Sequence, residues 1–126
     1  MRFARAVFLV AGIYGLLVLA PMYFMETKIG RDTPPAITHP EFFYGFLGVG
    51  LAWQVLFLVL SRDPARYRAM IIPSILEKIS FGIALIVLLS QGRISASTLA
   101  VGSVDWIWAF LFLAAYFTTK PGRSAA

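Results

Sequence analysis

The stretch Met70-Ile-Ile-Pro73-Ser-Ile-Leu-Glu77-Lys78-Ile-Ser-Phe-Gly82-Ile-Ala-Leu-Ile-Val-Leu-Leu-Ser90 decides the fold. It is an apolar run of membrane length, yet an acid and a base stand side by side near its middle. At bilayer depth an ionisable side chain costs roughly 2.5 to 3.5 kcal/mol on insertion scales, so such residues face a bundle interior and find partners. The rest of the chain supplies both the bundle and the candidate partners.

Composition places the chain in a membrane: 60% of its 126 residues are hydrophobic and 13% are charged, far from soluble usage. One bundle over residues 1–126 is the expected organisation. The net charge of +5 does not point to nucleic acid, because the basic residues form short clusters between apolar runs and not one polar face. With no cysteine there is no disulfide, thiolate or iron–sulfur chemistry. The single histidine, His39, excludes a two-histidine haem within the chain, and no cofactor is expected.

Outward from the central stretch, three further apolar runs complete an all-α, antiparallel four-helix transmembrane bundle. Ala6 to Met25 follows Arg2 and Arg5 and carries no charge. At about 1.5 Å per residue it crosses a core roughly 30 Å thick, and no small-residue cleavage site follows, so it reads as a retained helix. Gly12 and Gly15 let a neighbour approach closely, and Pro21 bends its far end. Phe42 to Ser61 is the second helix, with a stripe of small residues at Gly45, Gly48 and Ala52. Residues 70–90 form the third and 97–119 the fourth, the latter weakly apolar at Ser97, Thr98, Gly102 and Ser103 and interrupted by Asp105.

Of the connections, 26–40 reads as an outer loop punctuated by Pro34, Pro35 and Pro40. Residues 61–68 form a short basic turn. Arg2, Arg5, Arg62, Arg66, Arg68, Lys120 and Arg123 fall on one side and Lys28, Arg31 and Arg93 on the other. The positive-inside rule then predicts an inner (plasma) membrane protein with both termini cytoplasmic.

Counting from Arg5, Arg62 and Arg68 puts Tyr14, Gln54, Glu77 and Lys78 roughly 12 to 15 Å inside, near the midplane. Asp105, counted back from Lys120, lies some 22 Å up, within reach of a snorkelling lysine. These residues, with Trp53 as a wall, are the candidate ligand-binding layer. Trp106 and Trp108 are further candidate walls. The layer reads equally well as structural, with Lys78 paired to Glu77 or Asp105 and Gln54 and Tyr14 completing the hydrogen bonds. The expected partners are membrane lipids or a lipophilic small molecule, another membrane protein, or a second copy of the chain. The alternative from another class is an enzyme on a lipophilic substrate, with Glu77 as acid or base tuned by Lys78 or Asp105. His39, Glu41, Glu26 and Asp32 lack a metal-site spacing, so no metal is expected, and Glu41 reads as support for a helix start.

At Pro40-Glu41-Phe42-Phe43-Tyr44-Gly45-Phe46, Ala52-Trp53-Gln54-Val55 and Leu76-Glu77-Lys78 the chain resembles uncharacterised small bacterial four-helix membrane proteins. Its layout is also similar to EXPERA-type membrane proteins, which include sterol isomerases and binding proteins for lipophilic amines, and more loosely to DoxX-like proteins. Aligning Gln54 with a recurrent glutamine of the EXPERA type puts Gly50 where many of those proteins carry a glutamate. The resemblance therefore implies an architecture and not an activity.

Overall fold

A computed structural model describes residues 2–121, so Gly122 and Arg123, read above as part of the basic end, lie outside the described residues. Its helices are α1 (Arg2–Leu19), α2 (Glu26–Asp32), α3 (Pro40–Arg62), α4 (Ile71–Ser90), α5 (Ala96–Gly102) and α6 (Val104–Thr118). Four spans are long and apolar enough to cross a membrane: Arg2–Phe24, Pro40–Arg62, Arg68–Ser90 and Ala96–Thr118. Only 28% of the apolar window is buried in each of the first three and 17% in the fourth, so most apolar side chains face outward, as a lipid solvent allows. The chain is a multi-pass membrane protein.

Local chemistry sets the boundaries. Pro21 has no N–H to give to the turn below it, and the chain tightens into a 3-10 stretch, Ala20–Phe24. Residues 26–40, read as a loop, contain the helix α2, which Lys28 and Asp32 bridge across one turn. Pro40 opens α3 at a position where a missing N–H is harmless, and Glu41 sits beside the positive end. Past α4, Gly92 adopts φ 69°, and its N–H and that of Arg93 bond the carbonyls of Leu89 (2.9 Å) and Leu88 (2.9 Å). That is a Schellman termination, and the left-handed residue is a glycine because a Cβ is strained there. Ser95 then caps α5 by accepting the Thr98 N–H at 3.2 Å. The fourth span, expected over 97–119 with an interruption at Asp105, is divided two residues earlier, at Ser103, into α5 and α6. The Ser103 hydroxyl donates back to the Ala100 carbonyl at 2.7 Å, a bond that bends helices.

Packing is strongest at the end bearing Arg2, Arg5, Arg62 and Lys120. There Phe8 stacks on Phe112 at 4.6 Å, Phe57 meets Phe112 edge-on at 5.0 Å, and Leu60, Ile71 and Ala115 close around them. Arg68 ties the start of α4 to the end of α6 by donating to the Thr119 carbonyl at 2.8 Å, its guanidinium 3.8 Å above the Tyr116 ring. Arg2 and Lys120, near the limits of the described residues, therefore lie at one end of an antiparallel bundle. Toward the other end, α1 pairs mainly with α3, and α5 with α4. Each pair meets over glycine. A Cβ on Gly15 would lie 1.8 Å from Gln54 Oε1, and one on Gly102 would lie 2.1 Å from Leu85 Cδ1 of α4; farther along, one on Gly82 would lie 2.5 Å from the Trp106 ring of α6. Gly45 has nothing within 4 Å and Gly48 has only the Tyr23 hydroxyl at 3.4 Å, so the stripe with Ala52 does not serve packing inside the bundle.

Two outcomes follow for unfolding in mixed micelles. Phe112→Ala should lose about 3 to 5 kcal/mol, because its cavity is walled by two other rings. Gly15→Ala should lose about 1 to 3 kcal/mol by overpacking, and Gln54→Ala should relieve it in the double variant. Gly45→Ala, in open space, should leave the unfolding midpoint where it is.

Candidate functional site

The buried stripe of α4 runs Ile71, Ser74, Lys78, Gly82, Leu85, so the helix turns a lysine inward among apolar and small neighbours. Lys78 is 7% exposed. Its ammonium lies 3.4 Å from Glu77 Oε2, 3.7 Å from Asp105 Oδ1 and 5.3 Å from the centre of the Phe57 ring. Two carboxylates and an aromatic face thus surround a group with three N–H donors. Both ion-pair distances exceed the roughly 2.7–2.9 Å of a tight charge-assisted hydrogen bond. The carboxylates come from different elements for different reasons. Glu77 is adjacent to Lys78 on α4 and reaches around the helix. Asp105 lies in the first turn of α6, two residues past the irregularity at Ser103, and meets the ammonium from the neighbouring span.

The remaining residues of the expected layer divide into separate contacts. Gln54 is buried, donates from Nε2 to its own helix at the Gly50 carbonyl (3.0 Å), and occupies the space that Gly15 leaves on α1. These contacts join α1 to α3. Tyr14, placed by depth in the layer, is 41% exposed, with its ring 6.0 Å from that of Trp108. Trp53 packs at 6.3 Å from Phe57 and lines, with Val49, Ala52 and Leu56, an outward groove of about 210 Å³. Trp106 covers Gly82, and Trp108 reaches Phe112. The buried atoms Glu77 Oε2, Gln54 Oε1 and Trp108 Nε1 have no hydrogen-bond partner.

Phe57 beneath the ammonium and Gly82 beneath Trp106 were not among the sequence candidates. The signal for Gly82 was its place one turn beyond Lys78 on the same face.

At the loop end the acidic residues are bound to separate partners. Tyr44 donates to Glu26 at 2.8 Å, His39 Nδ1 lies 3.0 Å from Glu41 Oε1, and Lys28 holds Asp32. The lysine's hydrogen bond keeps the Asp32 carboxyl below its usual range. An open concavity of about 340 Å³ lies there, lined by Glu26, Thr27, Gly30, Arg31, Ala36 and Ile37.

Chemically, the group Glu77, Lys78, Asp105 carries one negative charge when all three are ionised. It is suited to a proton, a hydrogen-bond donor or a cation. Comparisons with protein-family models, curated proteins and solved structures found no match for the chain.

Lys78→Met leaves two carboxylates facing each other in low dielectric and should destabilise by about 3 to 5 kcal/mol in denaturant titration. The triple variant E77Q/K78M/D105N should recover most of that loss, since no charge is then stranded.

Proposed function

We propose that the protein is an inner-membrane protein with both termini cytoplasmic, and that Glu77, Lys78 and Asp105 bind the polar head of a lipid-like molecule reached from within the bilayer. One observation carries the reading. The Lys78 ammonium is buried between two carboxylates, while the Glu77 side chain keeps 25% of its surface accessible. Glu77 Oε2 is itself buried against the ammonium, so what a head group could reach is the accessible remainder of the Glu77 side chain at the edge of the bundle. The surplus negative charge favours a head that donates hydrogen bonds or is positive, and the exposed apolar surface suits a hydrocarbon tail. The distribution of Lys and Arg supports the orientation.

The test is native mass spectrometry of the chain extracted gently from its membrane, with added amphiphiles of one tail length. A discrete lipophile should be retained by the wild type and lost in E77Q, and dodecylammonium should raise the melting temperature where dodecanoate does not. Equal effects of the two amphiphiles, with no retained molecule, would contradict the proposal.

A second reading, as a subunit of a larger membrane assembly, is favoured by the outward stripe Gly45, Gly48 and Ala52, which lies open on α3. Under that reading A52C, in a chain without other cysteines, should cross-link to a partner or to a second copy.

A further inference from the structure

We infer that the end of the bundle bearing Arg2, Arg5, Arg62, Arg66 and Lys120 is a binding surface for anionic phospholipid. All five side chains are exposed. Among the described residues, every ion pair lies at the opposite end or around Lys78: Lys28 and Arg31 with Asp32, His39 with Glu41, and Lys78 with its two carboxylates. None involves these five cations. The one acid described beside them, Asp63, uses Oδ1 to accept the Arg66 backbone N–H at 3.1 Å and so holds the turn. Arg68 is set apart from the group, because it is directed inward onto Thr119 and Tyr116.

Helix ends do not cancel this charge. At this end α1 and α4 present their positive termini and α3 and α6 their negative ones, so the dipoles roughly offset and the side chains set the field. The helices that carry Arg2, Arg5 and Arg62 are anchored at this end, because Phe8 of α1 and Phe57 of α3 pack with Phe112 in the aromatic core. Guanidinium groups match phosphate oxygens in a two-bond geometry.

The occupant is a lipid and not free phosphate because each cluster of charge borders exposed hydrocarbon-facing residues. Phe3 lies between Arg2 and Arg5, Val59 lies one turn from Arg62, and Phe117 lies one turn from Lys120, at 44%, 41% and 74% exposure. A single molecule with a negative head and apolar tails covers both. A soluble anion satisfies only the first.

The experiment uses the purified full chain in mixed micelles containing equal phosphatidylglycerol and phosphatidylcholine, where orientation in a membrane plays no part. Native mass spectrometry counts retained lipids. The wild type should retain phosphatidylglycerol preferentially, and R5Q/R62Q/R66Q/K120Q should lose that preference by about fivefold for each cation that contacts a lipid. K28Q/R31Q/R93Q, which removes charge at the other end, should keep it. High salt should weaken the wild-type preference without substitution, which keeps the test valid if the quadruple variant does not fold. Equal retention of the two lipids, a preference unchanged in the quadruple variant, a preference insensitive to salt, or displacement by inorganic phosphate would each overturn the inference.

Discussion

A lysine ammonium held in the interior of a membrane bundle by two carboxylates constrains everything around it. Lys78 cannot leave its place without stranding a charge, and neither Glu77 nor Asp105 can lose it without becoming an anion in low dielectric. This fixes the register of α4 against α6. Phe57 completes the enclosure from α3 and so links this pair to the other half of the molecule.

Around that centre the two ends of the bundle are held differently. Lipid gives helices little hydrophobic reason to associate, so the contacts must come from close fit and from polar bonds. At the basic end, fit comes from three stacked rings and from an arginine that ties two helix termini together. At the loop end it comes from glycines, which bring α1 to α3 over Gln54 and α4 to the fourth span under Trp106. The helices therefore converge at one end and associate mainly in pairs toward the other. The charged group lies between the two regimes, where a partly accessible carboxylate is compatible with a buried ammonium.

Much of this was legible in the sequence because hydropathy dominates membrane folds. Four spans, their antiparallel order and the reach of Lys78 to Asp105 follow from apolar run length and rise per residue. Rise per residue gives height and says nothing about azimuth. Tyr14, counted to the same depth as Lys78, is 41% exposed, and Gln54 turns to Gly15 on α1. Glycine placement has the same ambiguity: Gly12 and Gly15 receive a neighbour while Gly45 stands open, although both sets read alike as places where a helix can approach closely. The helix α2 was concealed by its charge, though Lys28 and Asp32 stand one turn apart, the spacing that supports a short exposed helix. The contact of Arg68 with Thr119 joins distant parts of the chain and leaves no local pattern.

The most direct test of the central claim is solid-state NMR of the protein in lipid bilayers with labelled lysine, aspartate and glutamate. Lys28, Lys78 and Lys120 are the chain's lysines, so the buried one is readily assigned. The account predicts a Lys78 Nζ signal with the shift of a charged ammonium and dipolar couplings to the carboxyl carbons of both Glu77 and Asp105, at about 4 Å as expected for contacting ion pairs. A neutral amine shift, or coupling to Glu77 alone, would contradict it and remove the link on which the pairing of α4 with α6 rests.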